Sequence, residues 1–232
     1  MATQTHQPNS ARGQLGQGIY SLAELRLYLA YHGGPDAGEL ALYWLTNALN
    51  PVAHESHEPD YSFSDLISLL VVRELVEIGV PLHEIKDAED YMRTRFKTDR
   101  PFVSEEVATD GKTVFIRSEV DEQVERANLP KSQRGGHRRG QQAQRKVIGP
   151  YLHRVRYSDG RAITWSPSED VLLDPAIQFG EPVVAGTRVP TAAVASLAEA
   201  ADIKEAASRL GLKETSARRA LKFENELSAL RT

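Results

Sequence analysis

Four side chains near the C-terminus have the types and spacing to grip a phosphate backbone. At about 100° per residue, Thr215, Arg218, Arg219 and Lys222 gather on one face of a helix that contains them. Guanidinium and ammonium groups neutralise phosphates and a hydroxyl donates to them, which fixes a helix on a duplex. A short basic helix behind a glycine turn has the shape that enters a major groove. The same spacing suits a solvated basic face on an ordinary helical hairpin, and the residues alone leave both readings open. A second cationic set stands in LPKSQRGGHRRGQQAQRK, around Arg134, Arg138 and Arg139. From Arg126 to Tyr157 there are nine cations and no acid. Arginine forks match phosphates and carboxylates alike, so this stretch could contact DNA, enter an acidic groove on a partner, or act as a plain tether.

Other chemistries find little support. His54 and His57 are three apart and flank Glu55, but without a third clear ligand the expectation is solvated loop histidines and no metal. The chain has no cysteine, which excludes a disulfide framework and thiolate metal sites. It carries no phosphate-cradling glycine loop, no H-E-x-x-H and no nucleophile elbow. The expectation is a protein that is not an enzyme and uses no cofactor. Tyr43 and Trp44 read as rim and core, not as a base-stacking platform.

The elements that would hold the basic face are legible in the same stretch. Ile203, Ala206, Ala207 and Leu210 fall at i, i+3, i+4 and i+7, the apolar stripe of an α-helix. Gly211 ends that helix where a left-handed residue is needed. A second helix follows, with Ala217, Ala220, Leu221 and Leu227 facing inward. Small alanines on both helices let the axes approach closely. Upstream, Pro190 suits the first turn of a helix spanning Ala192 to Ala200. Before it, Val171 to Leu173 and Pro182 to Val184 are short apolar runs expected to pair as extended segments.

In chain order, residues 1–17 read as a disordered tail. Ser21 is a candidate N-cap for a helix with Leu22, Leu25, Leu29 and Ala30 on one stripe, broken at Gly33-Gly34-Pro35. Asp36 is expected to cap the next helix, which buries Ala37, Leu40, Ala41, Trp44 and Ala48 and ends at Pro51. A strongly apolar helix follows Tyr61 as far as Ile78 and stops at Gly79. Pro81 opens another, from Leu82 to about Phe96, with Ile85, Ala88 and Met92 facing in. Pro101-Phe-Val and Thr113-Val-Phe-Ile flank Asp110-Gly111 and predict a small hairpin. A short polar helix is expected over Val120 to Ala127, then a basic flexible linker over 126–146. Leu152 to Tyr157 and Arg161 to Trp165 alternate around Ser158-Asp159-Gly160. This predicts a hairpin with Val155, Tyr157, Ile163 and Trp165 on an apolar face and Arg154 and Arg156 on a basic one.

Two resemblances attach to these residues. The run LDPAIQFGEPVVAGTRVPT followed by the helix pair resembles the small domain-of-unknown-function family numbered 433. Asp174-Pro175, Gly180-x-Pro182-Val183-Val184 and Gly186-Thr187-Arg188-Val189-Pro190 carry the likeness, which covers about the last quarter of the chain. Family members tend to have a glycine before the acidic residue where this chain has Ala201. Members commonly pair as antitoxins with PIN-domain ribonuclease toxins, and a long form with an added N-terminal module resembles the VapB-type antitoxins. Residues 18–98, with YSFSDL and RELVEIGVPLHEI, resemble a MerR-like winged helix. The resemblance implies an antitoxin that neutralises a VapC-type, PIN-domain ribonuclease and represses its own operon by binding operator DNA. Arg134, Arg138 and Arg139 would then meet the toxin, whose clustered carboxylates hold Mg²⁺. The alternative is a stand-alone MerR-like transcriptional regulator with no toxin partner.

Composition sharpens the division. The chain has 232 residues, 41% hydrophobic and 26% charged, ordinary for a globular protein and enough for two modules. Residues 1–125 carry 10 Lys/Arg against 21 Asp/Glu, whereas residues 126–232 carry 18 against 11. Between Arg26 and Arg73 there is no cation at all, so a winged helix there lacks the phosphate neutralisation that DNA affinity needs. Dimerisation or toxin contact is the expected role of the front module. The fold class expected is mainly α with small β-hairpins. A tail over 1–17 precedes a winged helix-turn-helix-like domain over 18–125. The linker over 126–146 then leads to 147–232, a small sheet with a three-helix, helix-turn-helix-like unit. No apolar run is long enough to span a membrane and no secretory signal is apparent, so a cytoplasmic homodimer is expected.

Overall fold

Two serine caps start the helices around which the front of the protein packs. The computed structural model of the chain describes residues 18–47, 49, 61–104, 107–109, 114–117, 124–126, 146–147 and 154–231. Ser21 opens α1 (Leu22–Gly33) with a capping box, its hydroxyl accepting from the Glu24 N–H while the Glu24 carboxylate accepts from the Ser21 N–H. Ser62 does the same for α4 (Phe63–Ile78) through Asp65. The apolar run of α4 lies inside the fold: Leu66, Ile67, Leu69, Leu70, Val72 and Leu75 are all fully buried. Gly79 ends α4, and α5 (Leu82–Phe96) buries Ile85, Ala88 and Met92 as its spacing predicts.

Between α1 and α4 the structure differs from expectation. The helix anticipated after Asp36 is split at Leu40 into α2 (Pro35–Glu39) and α3 (Ala41–Asn47). Leu40 is 42% exposed, while Ala37, Ala41 and Trp44 are buried. Pro35, not Asp36, starts the turn, since a residue without an N–H loses nothing at the first helical position. Gly38 sets the packing. A Cβ there would meet the Arg26 carbonyl at 2.7 Å, so α2 lies directly on the α1 backbone. Ala48 and the loop with His54, Glu55 and His57 lie outside the described residues.

The expected hairpin is present with different strands. Pro101–Val103 form a buried 3-10 turn, because proline's fixed φ suits a turn and it cannot donate to a ladder. The strands are β1 (Val107–Thr109) and β2 (Val114–Arg117), antiparallel with Val107 opposite Ile116. The polar helix expected over Val120 to Ala127 is also corrected. Val124–Arg126 is strand β3, pairing with β2, so ladder hydrogen bonds override the local helical preference. Strand β4 (Lys146–Val147) adds to the other side, giving the order β3-β2-β1-β4. Arg126 and Lys146, the two ends of the stretch read as a flexible linker, thus lie in strands. Arg134, Arg138 and Arg139 fall outside the described residues.

The second half begins with the predicted hairpin, β5 (Val155–Ser158) and β6 (Arg161–Trp165), turned by Asp159 at φ 50° and Gly160 at φ 70°. Its register shifts between Arg156 and Tyr157. Val155 therefore faces Trp165, and Tyr157 faces Ala162. Ile163 is the extra bulged residue, so Ala162 takes the place on the apolar face given to it by simple alternation. Trp165 also bridges Leu173, next to the pair β7 (Val171–Leu172) and β8 (Val183–Val184). Three helices follow: α6 (Thr191–Ala200), α7 (Ile203–Arg209) and α8 (Glu214–Ala229). Ala201 ends α6 at φ −135°, outside the left-handed region.

One large buried cluster draws on both halves of the sequence. Tyr20, Tyr28 and the α4 leucines share it with Trp165, Leu173, Phe223 and Leu227. Val184, Val194, Ala207, Ala217 and Ala220 form a second, smaller one. Helices dominate, with small antiparallel sheets between them. Among the described residues no helix is long and apolar enough to cross a membrane.

Candidate nucleic-acid interface

The three C-terminal helices are locked by small side chains and a few polar ties. Asp202 caps α7 by accepting from the Glu205 N–H at 2.8 Å. Gly211, at φ 65°, turns the chain left-handed, and the Leu212 N–H closes the helix end on the Ala207 carbonyl at 2.8 Å. Ala206, Ala207, Ala217 and Ala220 are all buried, which brings α7 and α8 close together. Thr191 is fully buried at the start of α6; its hydroxyl reaches the Pro182 carbonyl and the Glu224 carboxylate of α8. Ala217, Ala220 and Leu227 face inward as expected. Leu221 is only half-buried; Phe223 holds the interior place and meets the Tyr31 ring edge-on at 4.9 Å.

The outward face of α8 carries Thr215, Arg218, Arg219 and Lys222, as the spacing predicts. Thr215, Arg218 and Lys222 are exposed and Arg219 is half-buried. Each cation has a carboxylate beside it. The Arg218 Nε lies 2.9 Å from Glu214, and the Lys222 Nζ lies 3.7 Å from Glu226. Both are exposed i,i+4 pairs, a class that contributes about 0.3–0.5 kcal/mol, so a phosphate could replace either partner at little cost. Arg219 is different. It bridges Glu169 at 2.7 Å and Asp170 at 2.8 Å, and Asp170 also accepts from the Ser216 hydroxyl at 2.9 Å. Hydrogen bonds from Arg219 and Ser216 hold the Asp170 carboxyl below the usual carboxylate range. The Arg219 guanidinium thus fastens α8 to the turn ahead of β7.

Sequence reasoning on cations alone missed the neutralising partners. Glu214 and Glu226 were legible at four-residue spacing. Asp170 was not, because it stands 49 positions from Arg219 and only the fold brings them together.

The front of the protein presents its cations differently. Arg26 pairs with Glu39 at 2.6 Å on the surface between α1 and α2. Arg73 is buried with Glu74 and also reaches Glu77, while Arg100 is buried between Asp65 at 2.5 Å and Glu89 at 3.7 Å. Burial pushes the Glu74 carboxyl up, but a hydrogen bond from His32 and the charge of Arg73 outweigh it and hold the group below its ordinary value.

No model of a known protein family matches the chain. Over 128 residues it is 27% identical to proteins of Mycobacterium bovis and Mycobacterium tuberculosis, each named an uncharacterized HTH-type transcriptional regulator. That match covers 50% of this chain and 56% of each relative, so the chain spans about half the length of the curated relatives it matches. The fold is similar to the crystal structure of Rv2018 from Mycobacterium tuberculosis. The TM-score is 0.59 at 20% identity, over 88% of this chain and 97% of that one.

Proposed function

We propose that this protein is a DNA-binding transcription regulator that lays the outward face of α8 in a major groove. The observation that carries this is the exposed polar face of α8, held behind the Gly211 turn on a three-helix core. The naming of its relatives as HTH-type regulators supports the same reading. Arg218 and Lys222 would exchange weak intrahelical pairs for phosphates, Thr215 would donate beside them, and Arg219 would hold the helix in place. Two copies would bind as a homodimer on a two-fold operator. The test separates these roles. Arg218→Ala with Lys222→Ala is expected to make the salt dependence of DNA binding shallower by roughly two units, with stability lowered by no more than about 1 kcal/mol. Arg219→Ala is expected to lower the thermal stability as well. Wild-type affinity and salt slope in the double variant would refute the assignment of α8.

A second reading rests on Leu173 to Thr191, the run that resembles family 433, and on what this run exposes. Gln178 at φ 47° and Phe179 at φ 55° are strained, and Phe179 is 55% exposed. The Ile19 N–H donates to the Phe179 carbonyl at 2.9 Å, and Ile19 is itself 40% exposed. An apolar pair displayed on strained backbone is the kind of surface a partner protein covers. The family resemblance makes that partner a PIN-domain ribonuclease, and in this antitoxin reading Arg134, Arg138 and Arg139 would pair with its carboxylates. Co-purification with a PIN-domain protein encoded by the neighbouring reading frame tests it. Full inhibition of that ribonuclease after all three arginines are changed to Ala would remove their role.

A further inference from the structure

The cations of the β5–β6 hairpin are placed unlike those of α8. The register pairs Arg156 with Thr164 and Ser158 with Arg161, which puts Arg156, Ser158 and Arg161 on the face opposite Val155, Tyr157 and Trp165. Arg156 and Arg161 are both exposed. Neither has an ion-pair partner among the described residues, whereas every cation on the α8 face has one. The hairpin holds a single carboxylate, Asp159, at its tip. Its other face is anchored, with Trp165 buried in the main core.

The open end of the hairpin leads toward α8 through the turn ahead of β7. The Ser166 N–H donates to the Arg154 carbonyl at 3.0 Å and closes that end; on α1 the Tyr31 hydroxyl donates to Glu226 of α8 at 3.0 Å, and Glu226 pairs with Lys222. At the other strand, β6 runs into the turn whose Asp170 holds Arg219. The β6 end is thus tied, through Asp170 and Arg219, to the helix proposed to enter the groove. A hairpin whose guanidinium groups have no ion-pair partner among the described residues has the chemistry to take phosphates flanking the groove.

We infer that the exposed Arg156 and Arg161 of the β5–β6 hairpin form a second contact to the DNA phosphate backbone, in addition to α8. This rests on the DNA-binding reading above. Among the described residues no carboxylate pairs with either guanidinium group, so phosphate contact displaces none of them. Their contribution is independent of base sequence.

Salt titrations of binding to a mixed-sequence DNA duplex test it, using the full chain. Arg156→Ala with Arg161→Ala is expected to make the log–log salt slope shallower by about 1.8 units, and the affinity deficit to be about tenfold larger at about 50 mM than at about 200 mM salt. The pair Arg156→Lys with Arg161→Lys keeps the charge and is expected to restore the slope. A wild-type slope in the alanine pair overturns the hairpin contact while leaving α8 standing. Failure of the lysine pair to restore it overturns phosphate charge as the cause. No salt-dependent binding by the wild-type chain overturns the DNA reading and this contact together.

Discussion

Replacing Tyr20 by Phe removes one hydroxyl that joins stretches 160 residues apart. The Tyr20 Oη donates to the Gly180 carbonyl at 3.0 Å, and Tyr20 is only 1% exposed. Burial, then the neighbouring Tyr28, pushes its phenol well above the ordinary range, so it remains a neutral donor. Losing the donor leaves a buried carbonyl unpaired, a cost of about 1–2 kcal/mol. Gly180→Ala attacks the same junction from the other side. Gly180 has φ 91°, and an added Cβ would sit 2.3 Å from the Tyr20 Oη and 2.9 Å from its Cζ. The backbone conformation costs roughly 1–2 kcal/mol with a side chain present, and overpacking adds about 1–3. Together the single changes predict a loss of about 3–7 kcal/mol if they add. They should not add, because Tyr20→Phe removes the atom that clashes worst with the new Cβ. The double variant is expected to be more stable than the sum by about 1 kcal/mol or more. Denaturant melts of the wild type, both single variants and the double variant at one pH measure this. Additivity within about 0.5 kcal/mol would refute the contact geometry.

Arg100→Ala is expected to destabilise by about 3–5 kcal/mol, because Asp65 and Glu89 would be left buried with their shared cation gone. A denaturant midpoint shift worth less than about 1 kcal/mol would refute it. Asp170 predicts an acid dependence. Its carboxyl is held below its ordinary 3.8 in the fold, so its contribution is fully present above that value and lost as the pH falls through the lower folded one. The stability gap between wild type and Asp170→Asn should therefore be constant near neutral pH and shrink in acid. A gap unchanged down to about pH 2 would refute it.

Much of the local structure was legible because local physics decides it. The apolar run after Ser62, the stops at Gly79 and Gly211, and the Ser158-Asp159-Gly160 turn each depend on a few adjacent residues, and each stands where the spacing put it. The elements that went wrong depend on distant partners. Val124–Arg126 is a strand because β2 offers it a ladder, and Ile163 leaves the apolar face because of a bulge set by β5. At the candidate interface, composition and 3.6-residue periodicity by themselves determined that Thr215, Arg218, Arg219 and Lys222 share one side of a helix. Only the tertiary structure decided that Arg219 is held by Glu169 and Asp170 while Arg156 and Arg161 have no carboxylate partner among the described residues. Helical phase is a property of neighbours in the chain, whereas a charge's availability depends on whatever the fold sets within a few ångströms of it.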